Sequence, residues 1–227
     1  MATRNLGKGR SRAQHKRQRK SRATFKGISD EDFRQLLVKV SEWYDDRGYI
    51  DMLKMLYRDN ATDVYLLENA SDTMTLLQLL YDSDDLSPSD LTLLYETVKA
   101  TRQFGLERII KDQIPSCPNI KEIKISKFKP YRLKLMNLGF SLAKFDVVKI
   151  SGLYNNPVKR YKDGWSLISD MEHRKIICEA NMKEFIKKLE KNNFHQAISA
   201  LCEGLFRLSF FISYFTNCPQ HSVNIWL

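Results

Sequence analysis

The segment Phe33–Trp43 constrains the fold most, because its apolar residues recur at the spacing of an α-helix. They fall at i, i+3, i+4, i+7 and i+10 from Phe33, which places them on one face. Ahead of them, Ser29 is followed three residues later by Asp32, a pattern that satisfies the exposed N–H groups of a helix start. We therefore predict a first helix that begins near Ser29 and buries one face.

Five more amphipathic segments follow before Asp112, so the first half predicts an all-α unit of six helices. The clearest start among them is Ser87-Pro88-Ser89-Asp90, which offers an N-cap hydroxyl, a proline at the first helical position and an acid at the third. Pro115 and Pro118 end the sixth helix. We predict the later five helices at 49–57, 63–70, 73–81, 87–98 and 104–110.

The second half repeats this order after a linker that is rich in lysine and punctuated by proline. Asn155-Asn156-Pro157 breaks the chain, and no third helix is evident, so this unit is a degenerate copy of the first. Its helices are predicted at 131–142, 145–153, 165–172, 181–189 and 194–205. The chain thus divides into an arm, a first helical unit, the linker, a second helical unit and an apolar tail, at 1–28, 29–113, 114–128, 129–205 and 206–227.

Charge is distributed unevenly along the chain. The net charge of +10 comes from residues 1–26, which carry ten Lys/Arg and no acid. Residues 27–113 hold 9 basic against 18 acidic residues, and residues 114–227 hold 18 against 9. Because the two halves have opposite charges, we expect them to dock within one chain or to join head to tail between chains.

The arm has almost no apolar content, so we expect it to be disordered on its own. Its densest basic cluster is Lys16, Arg17, Arg19 and Lys20. This cluster fits a nuclear-import signal, a handle for RNA or anionic lipid, or a solubilising tail. The expected location is therefore the cytoplasm, with the nucleus added if the cluster acts in import.

No arrangement of residues suited to catalysis, a cofactor or a metal stands out. The four histidines lie apart, the four cysteines lack the spacing of a metal site or a disulfide framework, and no phosphate-binding glycine motif is present. The most apolar run, 205–215, is shorter than the roughly 20 residues that cross a bilayer and contains Arg207. We expect a non-enzymatic protein without cofactor, metal or membrane span, in a reducing compartment. The tail 206–227 fits an extension of the last helix with a frayed end, an alternative C-terminus, or a hydrophobic docking segment.

The first unit resembles the death-effector-domain family, the six-helix bundles of apoptotic adaptors and initiator-caspase prodomains. The likeness covers about 80 residues and depends on the order of four matching segments. These segments are Phe33–Glu42, Leu53–Leu56, Leu66–Glu68 and Leu86–Glu96. The second unit is similar to a degenerate copy of the same domain.

The resemblance implies an all-α fold of two six-helix death-fold bundles in series, the second degenerate. It also implies an adaptor or regulator of apoptotic, caspase-activating signalling. Such a protein binds other death-effector-domain proteins, namely adaptors and initiator-caspase prodomains, and can self-associate. The caspase nucleophile signature Q-A-C-[RQG]-G is absent, so the chain is not expected to be a protease itself.

The resemblance and the helical periodicity together suggest an association surface. At about 100° per residue, Met55 points away from the core between the inward Leu53 and Leu56, and we predict that it is exposed. In the family, helices two and five contact helices one and four or six of a neighbour, and of its arginine-x-aspartate-leucine motif only Arg102 and Leu106 are matched here. The predicted interaction residues are Tyr49, Met52, Met55, Arg102 and Leu106. The alternative is a nuclear nucleic-acid-binding protein that uses the basic arm and the basic second half.

Overall fold

The computed structural model describes residues 27–202, which contain eleven α-helices and no β-strand. This confirms the all-α prediction. Nearly all of the predicted arm and the whole of the predicted tail lie outside the described residues. The helices are α1 (Asp30–Asp45), α2 (Ile50–Tyr57), α3 (Val64–Asn69), α4 (Thr73–Asp82), α5 (Thr92–Ala100), α6 (Leu106–Gln113), α7 (Pro130–Ser141), α8 (Lys144–Tyr154), α9 (Gly164–His173), α10 (Met182–Lys191) and α11 (His195–Cys202).

Side-chain caps account for several helix starts. Ser29 caps α1, since its hydroxyl accepts a hydrogen bond from the Asp32 amide at 3.1 Å. The carboxylates of Asp63, Asp72 and Asp163 accept equivalent bonds at the starts of α3, α4 and α9. The start of α1 predicted near Ser29 is therefore confirmed.

The helix start predicted at Ser87 is wrong, because α5 begins only at Thr92. Ser87 and Asp90 instead close a tight turn, in which each backbone amide donates to the carbonyl of the other residue at 3.2 and 3.1 Å. The Asp90 carboxylate then accepts from the Thr92 amide at 2.9 Å. Ser, Pro and Asp are favoured in turns as well as at helix starts, so the sequence alone did not separate the two outcomes.

The helices form two groups, α1–α6 and α7–α11. In the first group α1 packs on α4 and α6, and in the second α7 packs on α9 and α11. Between the groups, α2 contacts both α7 and α9. The buried apolar residues of both groups form one contiguous cluster, so the expected docking of the two halves occurs within the chain.

Equivalent turns recur at a separation of 91 residues in the two groups. The caps Asp72 and Asp163 are separated by this number, as are Asp84 and Lys175, which both adopt positive φ in the turns after α4 and α9. The positive-φ residues that follow α5 and α10, Arg102 and Asn193, have the same separation. The order of helices thus repeats, except that α3 has no counterpart in the second group.

The segment that joins the groups lies against α5. Glu96, fully buried, accepts hydrogen bonds from the Ser126 amide at 2.9 Å, the Ser126 hydroxyl at 2.7 Å and the Lys127 amide at 2.7 Å. Lys99 donates to the carbonyls of Lys121 and Ile123. The outer side of α5 is therefore covered by the linker.

In the second group a loop takes the place of the third helix, and Asp170 of α9 binds this loop. Asp170 accepts from the ammonium of Lys159 at 2.7 Å, the hydroxyl of Tyr161 at 2.7 Å and the guanidinium of Arg174 at 3.2 Å. Burial alone would raise the pKa of Asp170, but these three donors outweigh it and lower the pKa to about 2.

Replacing Leu94 by alanine should lower the free energy of unfolding by about 2 to 5 kcal/mol. The side chain is 1% exposed in α5, and its removal leaves a cavity in the core. Urea unfolding followed by circular dichroism measures the loss, with Thr92→Ala at an exposed position of the same helix as control. An unchanged midpoint for Leu94→Ala would contradict the packing of α5.

Asp170 should make the second group sensitive to acid. Because its folded pKa is lower than that of an unfolded aspartate, about 3.9, its stabilising effect is complete above about pH 4 and is lost as the pH falls toward 2. In Asp170→Asn, urea midpoints measured between about pH 5 and pH 2 should fall less steeply than in wild type. Equal slopes would show that the network does not stabilise the folded chain.

Candidate protein-interaction surfaces

Helix α2 buries apolar residues on two sides. Leu53 and Leu56 are fully buried on the side that packs within the first group. Met52 and Met55 are 1% and 2% exposed. Met52 lies one turn before Leu56, whereas Met55 lies on the other side of the helix, with Asp59 at i+4 from it in the turn that follows. A short helix that is apolar on both sides needs a partner for each.

The second partner of α2 is the α7–α9 face. Arg132 of α7 donates to both carboxylate oxygens of Asp59, at 3.1 and 3.4 Å. It also donates to Glu172 of α9 at 2.8 Å, so one guanidinium joins the turn after α2 to α7 and α9. Because Asp59 follows Met55 at i+4, the side of α2 that carries Met55 faces the second group.

Arg132 is the largest fully buried side chain of the described residues. Burial alone would lower its pKa, but the hydrogen bonds and negative charges of Glu172 and Asp59 outweigh this effect and raise it. The guanidinium therefore stays charged while buried. A charge in this position is tolerable only with both acids in place, which ties the relative placement of the groups to three residues.

Weaker contacts surround this ion pair. The rings of Tyr57 and Phe128 are 6.2 Å apart, and Lys162 approaches Asp51 at 3.4 Å. A cleft of about 370 Å³ lies beside them at the junction of the groups. It is lined by Asp51, Lys54, Arg58, Leu67, Glu68, Ser166, Ser169, Asp170, His173 and Arg174.

The prediction that Met55 lies exposed is wrong, and the same holds for the outer position assigned to Met52. Helix α2 contacts α7 and α9 of the second group, and a local periodicity cannot reveal such a contact. Tyr49 is half-buried in the described structure.

Arg102 and Leu106, the two residues matched to the family motif, lie in different environments. Leu106 is fully buried in the core. Arg102 is exposed and adopts a φ of 58° in the turn after α5. Its guanidinium donates to Asn137 at 3.1 Å and lies 4.4 Å from the centroid of the Phe140 ring, so it contacts α7.

The outer side of α8 is open, and when buried Val147 and Ile150 are matched to Leu53 and Leu56, its Phe145 and Val148 fall at the places of Asp51 and Lys54. Val147 and Ile150 are buried, whereas Phe145 and Val148, at i and i+3 on the opposite side, are 65% and 54% exposed. The ammonium of Lys149 lies 4.2 Å from the Phe145 ring centroid. Sequence reasoning placed this helix but missed its outer side, although apolar residues on both sides of α8 were a usable signal.

The α1–α4 face is the open counterpart of the α7–α9 face. Phe33 and Tyr81 pair across it with ring centroids 5.7 Å apart, and Tyr81 is 43% exposed. Tyr81 of α4 is 91 residues before Glu172 of α9, so the two occupy equivalent positions. Phe33 lies three residues before the buried Leu36–Leu37 pair of α1. Arg132 lies three residues before the equivalent buried pair of α7, Leu135–Met136. The Phe33–Tyr81 pair thus occupies the place of the Arg132–Glu172 pair.

The remaining sequence predictions concern the basic cluster of the arm, metal sites and membrane-spanning helices. The nuclear-import candidate Lys16, Arg17, Arg19 and Lys20 lies outside the described residues. Within residues 27–202, no group of three His, Cys, Asp or Glu side chains could hold a metal ion. In the same part of the chain, no helix has the length and apolarity needed to cross a bilayer.

Comparison with models of known protein families found no match. A search of curated proteins likewise found no similar sequence.

Replacing Arg132 by leucine should lower the free energy of unfolding by about 3 to 5 kcal/mol, because Glu172 and Asp59 lose their shared cation. Urea unfolding of the whole chain measures the loss. The matched control is Arg34→Leu, an exposed arginine in α1, which should change stability by no more than about 0.5 kcal/mol. Equal effects of the two variants would rule out a special role for the buried guanidinium.

Proposed function

We propose that the chain is a non-enzymatic adaptor that regulates caspase-activating, apoptotic signalling by binding other death-effector-domain proteins. In this proposal residues 29–113 and 129–205 are two bundles of that family in series, the second without its third helix. The sequence likeness of the first unit and the recurrence of equivalent turns at 91 residues support it.

One observation carries the proposal: the chain already contains a contact between one repeat and the next. Helix α2 of the first group binds the α7–α9 face of the second. Because the groups repeat, α8 corresponds to α2, and the α1–α4 face corresponds to the α7–α9 face. Both counterparts remain open in the described chain, one at each end of the repeat pair.

The chemistry of the two open surfaces suits a further contact of the same kind. The α8 surface presents Phe145 and Val148 with Lys144 and Lys149 beside them. Single exposed apolar residues are ordinary, but two on one helix side next to each other indicate a docking patch. The α1–α4 face is rich in acids, so a bundle that carries an α8-like side can bind there with complementary charge.

In such an adaptor the binding energy comes from apolar contacts and the selectivity from charge. Binding at both ends gathers several chains or caspase prodomains at one place, and the raised local concentration controls caspase activation. No step requires a cofactor or a catalytic residue of this chain.

The test replaces Phe145 and Val148 by aspartate in the full chain. A charge in each apolar contact should abolish self-association, measured by light scattering, and capture of death-effector-domain proteins in a pull-down. The control is Tyr65→Asp, an aromatic residue 74% exposed on α3, which should leave both unchanged.

Circular dichroism must show folded helices for both variants. Wild-type association by the Phe145/Val148 variant would overturn the proposal. If instead the wild-type chain shifts the mobility of nucleic acid with steep salt dependence, and binds no death-effector-domain protein, the nucleic-acid alternative replaces it.

A further inference from the structure

The chain before residue 27 is attached beside the α1–α4 face. The Ile28 amide donates to the Pro88 carbonyl at 3.1 Å, and Gly27 lies against Pro88 and Ser89. Pro88 belongs to the turn between α4 and α5, close to the start of α1. Any contact that residues 1–26 make near this point needs only a short tether.

A shallow groove lies next to this attachment point, between α1 and α4. Its apolar lining is Phe33 and Leu37 of α1, which are buried, Pro88, and the half-exposed Tyr81 of α4. Its polar lining is Asp30, Arg34 and Gln78. In the second group the equivalent place holds the Arg132–Glu172 pair and is covered by α2. The groove is therefore the uncovered copy of a surface that this fold uses for binding.

The charges around the groove are mostly negative. Residues 30–48 and 72–85, which cover α1, α4 and the turns after them, contain ten acidic and three basic residues. The three basic residues are Arg34, Lys39 and Arg47, and Arg34 pairs with Glu31 at 3.0 Å. These two segments carry most of the net negative charge of the first half.

We propose that residues 1–26 bind the α1–α4 face of their own chain and compete there with a second bundle. This competition rests on the proposed function, whereas the binding of the arm does not. The arm supplies ten basic residues, no acid, and the apolar Phe25 five residues before Asp30 at the groove. Tethering gives it a high effective concentration at this face, on the order of millimolar.

The intramolecular partner is favoured over a second chain at low protein concentration. Each exposed ion pair contributes only about 0.2 to 1 kcal/mol to binding. A single lysine or arginine therefore binds weakly, and the strength of the arm contact depends on how many of them pair with acids. Salt screens it, because the Debye length at physiological ionic strength is about 8 Å. Bundles of the same kind that bind this face through apolar contacts as well as charge can therefore displace the arm.

The first experiment maps the contact in the full chain at low concentration. A carbodiimide joins lysine amines to carboxylates that are already in contact. Mass spectrometry of the monomer should find Lys20 and Lys26 joined mainly to acids of α1, α4 and the turn after α4. Cross-links spread evenly over acids of the whole chain would overturn the proposal.

The second experiment measures how fast trypsin removes the arm. Asp30→Asn, Asp82→Asn and Asp84→Asn together should speed cleavage about fivefold at low salt, because three charges are removed without changing a trypsin site. The control combines Asp63→Asn, Glu122→Gln and Glu179→Gln, which remove the same charge from exposed positions elsewhere. Equal acceleration by both variants would overturn the proposal.

The third experiment separates the arm contact from the proposed function. Replacing Lys16, Arg17, Arg19 and Lys20 by alanine should strengthen self-association several-fold by freeing the α1–α4 face. Cross-links to this face with no self-association in any variant would show that the arm binds but that the adaptor proposal fails. Unchanged association, in a chain that does associate through Phe145 and Val148, would overturn the competition.

Discussion

The buried guanidinium of Arg132 is the contact on which the arrangement of the two helical groups depends. A charge taken out of water is costly unless its partners are in place, and here one acid comes from each group. Apolar side chains such as the buried Met55 tolerate sliding, whereas a guanidinium with two carboxylates does not. Apolar burial therefore holds the groups together, and the ion pair fixes how they meet.

Local sequence patterns predicted where most helices lie, but not which of their sides are covered by other parts of the chain. Periodicity and the Ser29 cap are local signals, and they placed the start of α1 correctly. The failure at Ser87 has a local cause too, since its residues suit a turn as well as a cap. Met55 and Arg132 are different: whether a methionine or an arginine is covered depends on a segment about 80 residues away, which no local pattern encodes.

Helices α2 and α8 occupy equivalent positions in the two groups but differ in the exposure of their outer sides. Each is a short helix with apolar residues on both sides, and in each the inner side packs within its own group. Within residues 27–202 the outer side of α2 is covered, since α2 contacts α7 and α9, whereas Phe145 and Val148 on the outer side of α8 stay exposed. In the proposed adaptor these two residues are available to another bundle.

The charges of the two open surfaces also decide the direction of such a contact. Lys144 and Lys149 on α8 repel a second α8, and the acids of α1 and α4 repel a second α1–α4 face, so two chains related by a two-fold axis through either surface bring like charges together. A contact from α8 to α1–α4 brings opposite charges together instead. Such a contact joins different surfaces of the two partners, so each added chain leaves one surface open for the next. In the proposed adaptor, growth is then limited by whatever occupies the α1–α4 face, which is where the basic arm begins.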